Sequence, residues 1–506
     1  MDTELELKYL ICNDIEQNQL IENISALLAQ PDVSVTPSQK YLSNVYFDTQ
    51  DKRLRSLDIG LRIRKNQHGE AEQTIKTAGT VVAGLHQRPE YNLPVAGSFP
   101  ELAEFPAHIW PDGEPVAQLQ AALLPIFRTD FNRHCWMVQF ADGSKVELAL
   151  DIGLIVANDQ QEAINEIELE LVDGDAEHLF ELSRLLISQL SLRPGQRSKA
   201  ARGYQLAFNN DAEQAAIPSF DSSVICLNES MNIRESFVSG FSQALMLKQQ
   251  LVAAYLHQPK LELIKQIADV LALSRHGLWL YQDYLPESQS ERIRTQFSGV
   301  LQDLTWVESA LQLQELTTAS GNYRKKVEYS QNLLTELQGK LQGFPSEQEM
   351  KMYFTSADFN ELQLQELQLI VTLDTRVASE SGLLEFASNW LDDGLQQLQR
   401  AISMEQNMAE QQYLQSHMVL VRSLLTGYWF GQLFAAEERC EFRRPWLDMH
   451  SGIDELENLC LLRETLQQQS KLPKKLVNWL ESQVDCLIQA LEHCRQVALS
   501  IPPYWR

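Results

Sequence analysis

A chain of 506 residues has room for more than one domain at about 150 residues each. Its 44% hydrophobic and 22% charged residues exclude a wholly disordered chain. A net charge of -26 argues against a general nucleic-acid binder, although a local basic cluster can still recruit an anion.

The amino terminus, MDTELELKYL, alternates and is acidic. It lacks the basic start and apolar run of a signal peptide. Seven cysteines without CxxC spacing favour a reducing compartment over a disulfide framework. No stretch reaches the roughly 18 apolar residues of a membrane span. The expectation is a cytoplasmic protein with neither nucleic acid nor membrane as partner; the oligomeric state is left open.

Period-2 runs dominate the first half. ELELK (4–8), LRIRK (61–65), EQTIK (72–76), KVELALD (145–151) and EIELEL (166–171) read as strands. Gly69, Gly143 and Gly153 mark turns or strand ends. Helical patterns occur at about 15–29, 117–124 and 176–191. The sum is an antiparallel sheet, closed or nearly closed, with outer helices. Residues 209–222, polar and carrying Pro218, read as a linker. Beyond it, apolar residues recur every three or four positions, as in Leu261, Ile264, Ile267, Ala268 and Leu271. Breaks fall near Pro259, Pro286, Pro345, Ser356, Gly382, Pro445, Pro473 and Pro502. This predicts an all-helical domain of roughly eight to ten helices, and an α+β chain.

A charged strand face is ordinarily a solvated one. Here the runs are many, and they carry both signs on faces whose reverse side is Leu, Ile, Val or Ala. Glu4, Glu6 and Lys8 share a face, as do Arg62 and Arg64, Arg88 and Glu90, Glu147 and Asp151, and Glu166, Glu168 and Glu170. Apolar helices at 15–29 and 176–191 can cover a greasy outer surface, which turns the charge inward. Clustered carboxylates then call for cations. They suit Mg²⁺ or Mn²⁺, while Arg62, Arg64, Lys76 and Lys199 suit a chain of phosphates. No Walker loop is present, so side chains rather than a helix amino terminus hold the phosphates.

In order along the chain come ELELK (4–8), YFDT (46–49), LRIRK (61–65), TIKT (74–77), QRPEYN (87–92), RTDFNR (128–133), ELALDIG (147–153), EIELEL (166–171) and SKAARGYQL (198–206). By these motifs, residues 1–208 resemble the CYTH family, the triphosphate tunnel metalloenzymes. The resemblance implies an eight-stranded antiparallel β tunnel. It implies metal ligation by Glu4, Glu6, Asp151, Glu168 and Glu170, with Glu147 nearby. Phosphate binding falls to Lys8, Arg62, Arg64, Lys76, Arg133 and Lys199, with Arg88 and Arg128 as further carry-overs; Glu166 is expected at a solvated rim. Catalytic roles go to Glu4, Glu6, Asp151 and Glu168, with a second metal, or Asp151 or Glu168, orienting water. Lys8 joins them as a proton relay, provided that its pKa is depressed. Residues 223–506 resemble a CHAD domain in architecture only. The helices expected at 263–284 and 415–435 carry Lys265, Arg275, His417 and Tyr428. However, Ala268, Ala272, Leu420, Leu424 and Gly427 stand where that family places cations.

The implied activity is metal-dependent hydrolysis of inorganic triphosphate, with polyphosphate as a further anionic partner. Adenylyl cyclase, thiamine triphosphatase, nucleoside or RNA triphosphatase, and a non-catalytic polyphosphate binder are the alternatives on the same fold.

Overall fold

The computed structural model describes every residue except 1, 14, 32, 66–68, 83–84, 209–218, 222–223, 319–330, 377–381, 403–406 and 469–473. The side chains of 2–4, 80–82, 86–87 and 331–332 also lie outside the described set. So do most of the linker expected at 209–222 and the side chain of Glu4. There are two compact units: residues 1–217 with Tyr353–Gln368, and residues 218–352 with Leu369–Arg506.

Alternating sequence makes the strands of the first unit. They are β1 (Asp2–Ile11), β2 (Val33–Asp48), β3 (Gly60–Lys65), β4 (Ala71–Lys76), β5 (Thr80–Val82), β6 (Leu85–Pro94), β7 (Leu124–Phe140), β8 (Lys145–Ala157), β9 (Gln160–Asp173) and β10 (Leu192–Pro194). Every pairing is antiparallel. β1 pairs β9 on one edge and β6, then β10, on the other. Pairing therefore runs β1-β9-β8-β7-β2-β3-β4-β6 and returns to β1, with β5 and β10 as short additions. Among the described residues these pairings close the eight strands into a ring, although the stretch 33–42 of β2 pairs with β7 alone.

The apolar faces point outward and are covered. α1 (Gln17–Leu28) buries Leu20, Ile24 and Leu28, and a later helix, Glu177–Gln189, buries Leu179, Leu182 and Leu186. This later helix packs on both β9 and α1. Leu148, Leu150, Ile167 and Leu169 are fully buried. Elsewhere Phe47, Leu61, Ile63 and Ile75 pack with Leu54 and Leu119 from two short helices, Arg53–Ser56 and Val116–Ala122. Each such Leu or Ile contributes about 1.5–3 kcal/mol by leaving water. The segment Tyr353–Gln368 belongs to this unit as well. Its Glu361 accepts from Arg184 at 3.3 Å, and Gln368 donates to Glu177 at 2.7 Å.

The YFDT motif is a structural clasp. Asp48 is fully buried and its carboxylate accepts from Thr49 N at 2.7 Å, Leu54 N at 2.8 Å, Arg55 N at 3.0 Å and Tyr204 Oη at 2.7 Å. Asp48→Ala leaves those donors without their acceptor and is expected to cost on the order of 3 kcal/mol. Urea denaturation followed by hydrogen exchange of β2 and β7 amides measures this; unchanged protection there would refute the clasp.

Three expectations are corrected. Gly153 lies inside β8, not at its end. A Cβ there would sit 2.1 Å from Asp130 O on β7, so only glycine permits this approach of the two backbones. Pro445 does not break a helix: Ala436–Gln467 continues through it. Pro445, Trp446, Met449 and Ile453 are buried on that helix, and this packing outweighs the lost backbone hydrogen bond. From Ile233 onward the described residues form eleven α-helices, more than the eight to ten expected.

Candidate functional site

The charged faces converge on a cavity of about 340 Å³ inside the ring of strands. Glu6 and Lys8 reach it from β1, Arg62 and Arg64 from β3, and Thr74 and Lys76 from β4. Arg88, Glu90 and Asn92 come from β6, Phe131 and Arg133 from β7, Glu147 from β8, and Glu168 and Glu170 from β9. The helix Lys199–Phe208 adds Lys199, and Ser198 just before it also lines the wall. Gly195 makes room for Lys8: a Cβ there would lie 2.7 Å from Lys8 Cγ.

Register arranges the acids in rows. Glu6 is opposite Glu170, and Glu170 is opposite Glu147. Three carboxylates thus lie side by side across β1, β9 and β8. Directly opposed like charges destabilise a sheet unless cations intervene. Lys8 is one such cation, at 3.9 Å from Glu6.

Below this row is a self-neutralised network. Lys8 Nζ is 2.9 Å from Glu168 and 3.4 Å from Glu166. Lys199 Nζ is 2.7 Å from Asp151 and 2.8 Å from Glu168, and it also pairs with Glu166. Arg133 donates from Nε and Nη2 to the two oxygens of Asp151, each at 2.7 Å, and to Glu168 at 2.5 Å. Burial opposes charge on Lys8, Arg133, Asp151, Glu168 and Lys199, but their partners win. Lys199, Lys8 and Arg133 hold Glu168 well below the ordinary carboxylate range, and Lys199 and Arg133 lower Asp151. In return Lys8, Lys199 and Arg133 are all raised by these acids.

The far wall differs in sign. Lys76 lies 2.9 Å and Arg62 3.3 Å from Glu90; against the cost of burial they bring that carboxyl down to about 2. Arg64 donates to Asn44 at 3.0 Å and forms no ion pair among the described residues. Burial, with Arg62 and Arg133 nearby, lowers it to about 10, still charged at neutral pH. Among the described residues, Arg88 Nε is buried without a hydrogen-bond partner. Among the described residues, eight cations and five carboxylates line the cavity. The excess positive charge lies where a polyanion can replace the missing partners.

Several site expectations need revision. Arg128 is on the outer face of β7, its side chain 59% exposed and 3.1 Å from Asp130. It does not line the cavity. Asp151 is fully enclosed and pinned by Arg133 and Lys199, so it positions cations rather than facing the cavity. Glu166 is no rim residue: it is fully buried against Lys8, Lys199 and Arg202. Against the cost of burial, Glu166 and Glu168 raise the pKa of Lys8, so the protein's own charges do not supply the depression a proton relay requires. Glu4 is represented only by its backbone, opposite Arg88. The sequence reading missed Lys40, which lines the cavity and is opposite Arg133. Its parity with Tyr46 on β2 was the available signal.

The CYTH domain profile matches residues 2–204. Residues 2–204 are a CYTH domain. An inorganic triphosphatase from Haemophilus influenzae is 42% identical over 168 residues, covering 33% of this chain and 46% of that protein. The chain thus spans about half the length of this curated relative. Among solved structures, a putative adenylyl cyclase from Hippeastrum, reported with a dominant triphosphatase activity, is 18% identical. It covers 40% of this chain and 95% of its own, with a TM-score of 0.30. The CHAD domain from the plant Ricinus communis is 15% identical and covers 57% of this chain and 99% of its own, with a TM-score of 0.43. In this domain helices cover the apolar outer faces, and the inward charges compensate one another. No described helix is long and apolar enough to cross a membrane.

Proposed function

We propose that the CYTH domain hydrolyses inorganic triphosphate to pyrophosphate and phosphate with a divalent cation. One observation carries this reading: the row Glu6, Glu170 and Glu147 shares a cavity with Arg64 and Arg88, which make no described ion pairs. Such a site favours an anion that brings its own cation. An uncharged sugar or peptide gains little there.

The donor set fits a hard cation, because Glu6, Glu147, Glu168 and Glu170 offer only oxygen. Mg²⁺ or Mn²⁺ held by them would neutralise phosphate oxygens and the charge developing on departing pyrophosphate. Arg64, Arg88, Arg62 and Lys76 grip the phosphate chain and set its direction. Lys8 and Lys199, fixed by the buried acids, present permanent positive charge to the same chain. Asp151 and Glu166 hold those cations in place. The covered strands give the cavity low-dielectric walls, which strengthens each of these interactions. Polyphosphate meets the same cationic wall only where a chain end can enter. The second unit resembles CHAD in its helical architecture, and we assign it no catalytic part.

Arg64→Ala removes a buried charged donor worth about 2–3 kcal/mol and is expected to raise KM for tripolyphosphate roughly 100-fold. A substrate panel completes the test. The full chain is incubated with tripolyphosphate, ATP and thiamine triphosphate, with Mg²⁺ and with Mn²⁺. Pyrophosphate from tripolyphosphate supports the proposal. Cyclic AMP from ATP, preference for thiamine triphosphate, or tight binding without phosphate release rejects it.

A further inference from the structure

A cluster in the second unit has no part in this chemistry. His417 stands on the helix Glu410–Phe430, and His450 and Asp454 are one turn apart on Ala436–Gln467. One ligand atom from each lies within 4.8 Å of the others. His417 Nε2 is 3.3 Å and His450 Nδ1 is 3.1 Å from the Asp454 carboxylate. These separations, one to each oxygen of the carboxylate, are near the roughly 3.3 Å edge of a tetrahedron with bonds of about 2.0–2.1 Å, so small side-chain shifts would bring the three groups onto one ion.

The other ring nitrogen of His417 is 3.0 Å from Glu457, which Gln312 steadies at 3.4 Å from a third helix. A neutral imidazole has one N–H and one lone pair. If Nδ1 donates to Glu457, the Nε2 lone pair faces Asp454. Among the described residues that Nε2 is buried without a hydrogen-bond partner of good geometry. Against the cost of burial, Asp454 and Glu457 raise the ring to about 9, so a metal ion binds there by displacing a proton. A carboxylate behind a histidine that aims its second nitrogen at further ligands is the arrangement that orients metal-binding histidines. Among the described residues, the other trio with ligand atoms this close together, Asp151, Glu166 and Glu168, already surrounds the ammonium groups of Lys8 and Lys199. Among the described residues, neither Asp454 nor Glu457 is paired with a lysine or arginine.

We propose that His417, His450 and Asp454 bind a divalent transition ion of the Zn²⁺ class, oriented by Glu457. Two nitrogens and one oxygen suit Zn²⁺ or Co²⁺ better than Mg²⁺. Three protein ligands leave a fourth position for water. The ion joins two helices of the second unit, and binding therefore stabilises that unit.

The probe is Co²⁺, added to full-length, chelator-treated protein with Mg²⁺ in excess to occupy the carboxylate cavity. Tetrahedral Co²⁺ with nitrogen ligands absorbs strongly in the visible, whereas Co²⁺ in an octahedral oxygen site barely does. The expected result is a visible band saturating at one Co²⁺ per chain and displaced by Zn²⁺. His450→Ala and Asp454→Asn abolish the band, and Glu457→Gln weakens Co²⁺ binding about 10–100-fold. Triphosphate turnover is unchanged in all three. Circular dichroism confirms that the helices are retained. No band in the parent protein, or a band of equal strength in His450→Ala and Asp454→Asn, overturns the assignment.

Discussion

Glu6→Gln and Glu170→Gln are each expected to lower triphosphate turnover roughly 10³-fold, equivalent to about 4 kcal/mol of transition-state stabilisation. The substitutions keep side-chain size and remove one charge. In the row Glu6–Glu170–Glu147, losing a charge without metal relieves repulsion. Apo stability should hold or rise by about 0.2–1 kcal/mol. What disappears is the added thermal stability that Mg²⁺ or Mn²⁺ gives the parent protein. The pairing of lost turnover with intact apo stability separates a ligand role from a folding role. Turnover within threefold of the parent would remove the row from the mechanism.

Lys199→Met is expected to destabilise the first unit by about 3–5 kcal/mol at neutral pH, the penalty for stripping a partner from buried charge. Lys199 is 9% exposed and touches Asp151, Glu166 and Glu168. In the parent, Asp151 and Glu168 titrate below their ordinary values. Their stabilisation is present above the unfolded carboxylate range and is lost as pH falls through the folded values. Lys199 is raised, so its share persists until strongly alkaline pH. In Lys199→Met a crowded carboxylate takes up a proton more readily. The deficit relative to the parent should therefore shrink between pH 7 and pH 5. Hydrogen exchange of β8 and β9 amides reads this locally, because the two units need not unfold together. A deficit that is absent, or that grows on acidification, would contradict the network.

Side-chain parity was legible in the alternating runs, and much of the site follows from it. RTDFNR shows its limit. Arg128 and Arg133 are five residues apart on one strand, so they face opposite ways. Parity says that only one can enter the cavity; the structure selects Arg133, which meets Asp151 and Glu168. Lys40 escaped because it stands in no charged run, although its register with Arg133 puts it on the wall. Glu166 was misplaced because Arg202 and Lys199, which enclose it, arrive from a helix more than thirty residues later. Pro445 misled for a similar reason. A local rule predicted a break, and burial of the helix around it prevailed.

From the amino-acid sequence alone came two-faced strands, covering helices and an ordered set of motifs, since these depend on neighbours a few positions apart. Tertiary structure decided which acids stand in one row, which cations they consume and which arginines remain for an anion. It also brought Tyr353–Gln368 into the first unit. Those outcomes depend on cross-strand register and on the β1–β6 pairing, contacts between residues far apart in the chain that no local periodicity encodes.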